Sequence, residues 1–125
     1  MMESLTPNIF VKDIQKTIEY YKLLGFDVKI TVPKEGEFVW VMMSCNKVEL
    51  MFQTFNSIGD DLPPIKRNNG GSLLLYIQIK GIREFYNRIK DEVIILKHLD
   101  KTFYGATEFS LVDVNNYVLT FAEDE

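Results

Sequence analysis

A chain of 125 residues, with 46% hydrophobic and 26% charged residues, is long enough for one ordinary globular domain and too short for two. Its net charge is −4, and fourteen basic residues are scattered among eighteen acidic ones, which argues against a nucleic-acid partner. No apolar run approaches the roughly 20 residues that span a bilayer, and the N-terminus has no basic flank or apolar core, so we expect a cytoplasmic protein without a membrane partner.

The first half of the chain is predicted to fold as a strand, a helix and three further strands. Asp13 is a typical helix N-cap, and apolar residues recur after it at helical spacing until Gly25. β-rich or alternating runs around this helix predict strands over 5–11, 26–32, 37–43 and 48–52.

The second half repeats this order after a segment rich in turn residues. Residues 55–71 contain adjacent prolines and three of the seven glycines, which favours a linker. Beyond it we predict a strand over 73–79, a helix over 82–89, a strand over 93–99 and a closing hairpin with a turn at 113–116. We therefore divide a single domain into module one (about 1–56), a linker (about 57–71) and module two (about 72–125).

Short internal matches support a duplication. The segment Val11-Lys12-Asp13-Ile14 resembles residues 79–82 at an offset of 68, and residues 37–38 match Glu108-Phe109 at an offset of 71. Each match is short, but both agree with the repeated order of strands and helix.

The two ends of the chain resemble the vicinal oxygen chelate superfamily, which contains glyoxalases, bleomycin resistance proteins and extradiol dioxygenases. The segment VKDIQKTIEYYKLLGF at 11–26 is similar to the opening pattern of that family, and YGATEFSLVDVNNYVLTFAE at 104–123 is similar to its closing pattern YGxREFxxxDPxGNxxxFxE. Asn116 replaces the glycine of the family turn, and asparagine tolerates positive φ, so the turn is expected to survive. The resemblance implies an α+β fold of two tandem βαβββ modules, with curled mixed sheets around a shared cup and helices on the outer faces.

In such a fold, alternate strand residues face either the helix or the cup. Trp40 is ambiguous because residues 38–43 are apolar on both faces. It belongs either to the core, where the repeat aligns it with Leu111, or to the cup wall, where its ring would stack on a ligand. Parity assigns the remaining ligand-binding positions to Thr6, Asn8, Phe10, Glu49, Met51 and Gln53 in module one and to Leu74, Tyr76, Gln78, Glu108, Ser110 and Thr120 in module two.

The resemblance also implies where a divalent metal would bind in metal-dependent members. The matched positions carry Thr6, Glu49, Leu74 and Thr120, of which only Glu49 is a conventional ligand, whereas a catalytic site needs about three. Among the matched positions Glu49 has no cationic neighbour. The only histidine, His98, falls away from these positions, and Glu123 is expected to be solvated. We therefore expect no metal and no other cofactor.

The favoured hypothesis is a metal-free small-molecule-binding protein of the glyoxalase/bleomycin-resistance type, with a planar or amphipathic ligand in the cup between the modules. Its acidic groups favour a cationic ligand. The alternative is a divalent-metal-dependent lyase, isomerase or dioxygenase in which Glu49 is a general base or part of an atypical metal site. Uncovered sheet edges predict a homodimer, and pairing of the modules within one chain or across that dimer stays open.

Overall fold

The computed structural model describes residues 1–125, which divide into two compact units, Met1–Asn69 (module one) and Gly70–Glu125 (module two). Module one contains β1 (Asn8–Val11), α1 (Ile14–Leu23), β2 (Asp27–Val32), β3 (Trp40–Cys45), β4 (Val48–Thr54) and the short α2 (Phe55–Ile58). Module two contains β5 (Leu74–Gln78), α3 (Ile82–Ile89), β6 (Ile94–Lys101), β7 (Ala106–Val112) and β8 (Val118–Asp124). No helix here has the length and apolar character needed to cross a membrane.

Both modules form a four-stranded mixed sheet with the same topology. The strand orders are β1-β4-β3-β2 and β5-β8-β7-β6. In each sheet the first strand is parallel to the last, and the other pairs are antiparallel. The predicted α+β fold of two βαβββ modules is therefore confirmed.

The core of module one lies between α1 and one face of its sheet. Asp13 caps α1 by accepting a hydrogen bond from the Lys16 backbone N–H at 3.0 Å, as its position predicts. Tyr21 of α1 is fully buried, and its ring centroid lies 4.7 Å from that of Phe52 in β4. Val41 and Leu50 are buried on the same face, so alternate residues of β3 and β4 face the helix, as their alternation predicts.

In module two, α3 packs on the sheet in the same way, but its N-terminus is capped differently. The N-cap residue is Gly81, which has no side chain to accept a hydrogen bond. The side chain of Glu123 in β8 caps the helix instead. One of its carboxylate oxygens accepts a hydrogen bond from the Gly81 N–H and the other from the Ile82 N–H, both at 3.1 Å. The expectation that Glu123 is solvated is wrong, because the uncapped helix end supplies two donors and a favourable dipole.

The segment predicted as a linker is more ordered than its composition suggests. Its first residues form α2, which is capped by Thr54, whose side chain accepts from the Ser57 N–H. Farther on, the Arg67 guanidinium donates to the carbonyls of Leu62 and Gly59 at 3.0 and 2.9 Å, and also to those of Asp61 and Ile65. The loop thus folds around one cation, which satisfies carbonyl groups that no strand or helix pairs.

Candidate ligand-binding site

The predicted residues of module one that belong to strands lie on the sheet face that points away from α1, and Thr6 precedes β1. The register pairs Trp40 with Gln53 and Ser44 with Glu49, whereas the intervening pair of Val41 and Phe52 faces the helix. Paired residues of antiparallel strands share a face. Trp40 is half-buried on the face of Gln53, so the interpretation that places it in the core behind the sheet is wrong.

Three of these residues are occupied by contacts within module one. The Asn8 amide donates to Gln53 Oε1 at 2.9 Å, and the Gln53 amide donates to Ser57 Oγ of α2 at 2.9 Å. Phe10, predicted to line the cup, is buried in a small cluster with Phe55 and Ile58. That prediction fails because α2, which no sequence pattern indicated, covers this part of the sheet face.

Glu49 also has a partner that the sequence did not reveal. Lys29 Nζ lies 2.9 Å from Glu49 Oε2, and the two side chains are 49% and 39% exposed. Lys29 lies outside the matched positions, so the statement that none of those positions carries a cation stands, but Glu49 does have a cationic partner. Lys29 lies at a register shift in β2, where strict alternation cannot be read.

Two cavities of module one, of about 540 and 630 Å³, are lined by residues other than the predicted site residues. Thr6 and Met51 are only partly buried.

Module two has a cavity of about 550 Å³ on the sheet face opposite α3. The face is defined by register, because Tyr76 and Ser110 both pair with Thr120, whereas Phe109 and Phe121 pack on the helix side. Among the six predicted residues of this module, Gln78 does not line the cavity. The other five do: Leu74, Tyr76, Glu108, Ser110 and Thr120.

Polar side chains converge at this cavity. The hydroxyl groups of Tyr76 and Tyr104 both donate to Glu108 Oε2, at 2.5 and 2.6 Å. Hydrogen bonding to Glu108 raises the pKa of Tyr76 to about 12, and the same contact raises the pKa of Tyr104. Both phenols are therefore protonated donors at neutral pH. Deeper in the sheet, Ser110 Oγ lies 2.7 Å from Thr120 Oγ1.

The remaining lining residues come from β6 and the β6–β7 turn, apart from Phe109 of β7, and none of them was among the predicted site residues. Register shifts interrupt the pairing of β6 with β7 on both sides of Lys97, so parity cannot be read along this strand. Only Tyr104 had a usable signal, because it opens the closing segment that resembles the family. The additional lining residues are Lys97, His98, Asp100, Lys101, Thr102, Phe103, Tyr104 and Phe109.

His98 does not turn this cavity into a metal site. Its Nδ1 lies 2.6 Å from the hydroxyl of Tyr86, which belongs to α3 on the opposite side of the sheet. No group of three or more His, Cys, Asp and Glu side chains is arranged to hold a metal ion. Since Leu74 and Thr120 stand at two matched metal positions of this module, its side chains do not fit the divalent centre of metal-dependent members of the superfamily that the sequence resembles.

Comparison with known proteins gives matches in structure alone. No family model and no curated protein matches the sequence. A bleomycin-binding protein complexed with bleomycin is 19% identical with a TM-score of 0.70, over 99% of this chain and 100% of that chain. A bleomycin resistance determinant encoded on the transposon Tn5 is 21% identical with a TM-score of 0.71, over 99% of both chains. A glyoxalase/bleomycin resistance protein/dioxygenase family enzyme from Burkholderia phytofirmans PsJN is 17% identical with a TM-score of 0.77, over 96% of this chain and 97% of that chain.

These similarities cover nearly the whole chain at low sequence identity, so they establish a shared fold and leave the activity open. They agree with the two segments that resemble the superfamily and with the repeated sheet topology. The chain has the fold of the vicinal oxygen chelate superfamily.

Proposed function

We propose that the protein is a metal-free binding protein for a small planar or amphipathic molecule, and that the cavity of module two is its binding site. The observation that carries the proposal is the convergence of apolar walls and a few polar groups in a space of about 550 Å³. Leu74, Tyr76 and Phe103 supply burial, while Glu108 and the Ser110–Thr120 pair can orient a ligand. Cavities of this size and composition are typical of small-molecule sites.

The chemistry of the side chains favours binding over metal-dependent catalysis. Glu49, the only conventional ligand among the matched metal positions, forms an ion pair with Lys29, and neither of the two module-one cavities described above includes it. The proposal therefore assigns no cofactor. One divalent ion held per chain by the purified protein, and lost in Glu49→Ala, would contradict it and favour a lyase, isomerase or dioxygenase.

A cavity-filling variant tests the site. Leu74 is 50% exposed and lines the cavity, whereas its neighbour Leu73 is 48% exposed and does not, so Leu74→Trp and Leu73→Trp form a matched pair. We expect thermal-shift screening of a library of planar and amphipathic compounds to yield binders of the wild type. A ligand at about 100 times its Kd should stabilise the folded protein by about 2.7 kcal/mol.

The indole of Leu74→Trp should occupy the cavity and weaken those binders at least about tenfold, a loss of about 1.4 kcal/mol. Leu73→Trp should keep wild-type affinity. A library without binders, or equal affinities in the two variants by isothermal titration calorimetry, would contradict the proposed site.

We also propose that the protein is a homodimer. The edge strands β2 and β6 keep apolar side chains in solvent: Ile30 and Val32 on β2, and Ile94 and Leu96 on β6, are each about half-exposed or more. Unpaired strand edges with apolar side chains favour association with a second copy. Sedimentation velocity at high micromolar concentration should give the mass of two chains, and a monomer under these conditions would exclude the dimer.

A further inference from the structure

Resting on the proposed function, we infer that the ligand carries a protonated amine, amidine or guanidine group, and that Glu108 recognises it. Glu108 is half-buried and lines the cavity of module two. Both of its hydrogen bonds are received by Oε2, from Tyr76 and Tyr104, so Oε1 accepts none. No lysine or arginine forms an ion pair with it.

The Glu108 carboxylate and the hydroxyl groups of Tyr76 and Tyr104 form a cluster that can accept further hydrogen bonds from a ligand but has no proton left to donate. Each phenol has one proton, and both protons are directed to Glu108 Oε2, so the phenol oxygens offer only lone pairs to a ligand. Together with Glu108 Oε1 they form a group of acceptors that an N–H donor satisfies. A carboxylate or phosphate ligand would instead place its own lone pairs against them.

One directly opposed pair of acidic residues favours a cation as well. Asp100 of β6 pairs directly with Glu108 of β7, and both line the cavity. Like charges at directly opposed positions are destabilising. Lys97 and Lys101 of β6 also line the cavity, but neither forms an ion pair with Glu108: Lys101 Nζ lies 3.6 Å from Glu125 Oε2, and Lys97 is opposite Ser110 in the register. A bound cation beside Glu108 would reduce the repulsion between the two carboxylates.

The aromatic rings around the Glu108 carboxylate also favour a cationic ligand. Tyr76 and Tyr104 are 50% and 57% exposed, and Phe103 is fully exposed with its ring centroid 5.0 Å from that of Tyr104. Ring faces attract cations and also pack against planar apolar groups. A flat ligand with a basic group fits both the rings and the carboxylate. Tyr76 and Tyr104 are then positioning residues, which hold Glu108 through Oε2.

Three probes that share one ring system and differ in charge test the inference: 2-naphthamidine (cation), 2-naphthamide (neutral) and 2-naphthoate (anion). Titration followed by NMR at pH 7 gives their Kd values. We expect the amidine to bind the wild type at least about tenfold more tightly than the amide, the scale of a hydrogen bond to a charged group, and the naphthoate to bind most weakly.

The variants separate recognition of charge from folding. Glu108→Gln should abolish the preference for the amidine over the amide, and Tyr104→Phe should reduce it. Glu92→Gln removes one negative charge from an exposed position outside the cavity and should keep the preference. Asp100→Asn, at an exposed position, should reduce the preference and serves as the second variant if Glu108→Gln folds poorly.

The outcomes distinguish this inference from the proposed function. Equal affinities for the three probes, or a preference for the amidine that survives both Glu108→Gln and Asp100→Asn, would overturn the inference while the cavity remained a binding site. Failure of all three probes to bind would also overturn it. The proposed function depends separately on the compound library and the Leu74→Trp and Leu73→Trp pair.

Discussion

Phe109→Ala is expected to lower the free energy of unfolding by about 3 to 5 kcal/mol, the usual loss when a buried aromatic ring is removed. Phe109 is only 1% exposed, and its ring centroid lies 5.0 to 5.9 Å from those of Tyr86, Phe121 and Phe85. It therefore joins α3 to the two central strands of module two. The change should leave a cavity that three surrounding rings cannot fill.

Urea denaturation of Phe109→Ala beside Phe103→Ala measures this effect. Phe103 is fully exposed, so its truncation should leave stability within about 0.5 kcal/mol of the wild type. A loss of less than about 1 kcal/mol in Phe109→Ala would contradict the packing described for α3 and its sheet.

Gly70→Ala is expected to lower the free energy of unfolding on the order of 2 to 4 kcal/mol, because strain and a steric clash act together. Gly70 has a φ of +87°, and a Cβ there would lie 2.8 Å from the Asn116 carbonyl oxygen and 2.9 Å from its Nδ2. The β7–β8 turn would have to move away. Its Asp113 accepts hydrogen bonds from the N–H groups of Asn115 and Tyr117, both at 2.8 Å, which resists that movement.

A second glycine of the same module supplies the control for the clash. Gly105 has the same φ of +87°, but nothing lies within 4 Å of a Cβ built on it. Gly105→Ala should therefore show the backbone strain alone, about 1 kcal/mol or somewhat more. Thermal and urea unfolding of both variants give the comparison. Equal losses in the two variants would mean that the close approach of Gly70 to Asn116 contributes nothing.

The parts of the fold that were predictable are those with local signals. The predicted helix over 82–89 agrees with α3, and the cap of α1 at Asp13 is confirmed, because caps and helical spacing are encoded within a few residues. The closing turn survives without glycine, as predicted, since Asn116 has a φ of +65°. By contrast, β1 begins at Asn8, where its pairing with Met51 begins, and not at residue 5. A contact across 43 positions of sequence cannot be read from local propensity.

The lining of the module-two cavity was predictable where strands are regular. Parity selected Tyr76, Ser110 and Thr120 because β5, β7 and β8 pair without register shifts. It missed the β6 side of the cavity, where the register shifts on both sides of Lys97. Parity also placed Phe10 on the correct face, but it could not reveal that α2 covers this residue. Long-range partners such as Lys29 for Glu49 were invisible for the same reason.

The most direct test of a ligand site in module two is a titration of isotope-labelled protein with a binder from the compound library, followed residue by residue by NMR. We expect the backbone amides of Tyr76, Glu108 and Ser110 to shift in proportion to occupancy, with a Kd equal to that from calorimetry. These shifts should disappear in Leu74→Trp. Saturable shifts confined to Trp40, Glu49 and Met51, with module two unchanged, would contradict a ligand site in module two.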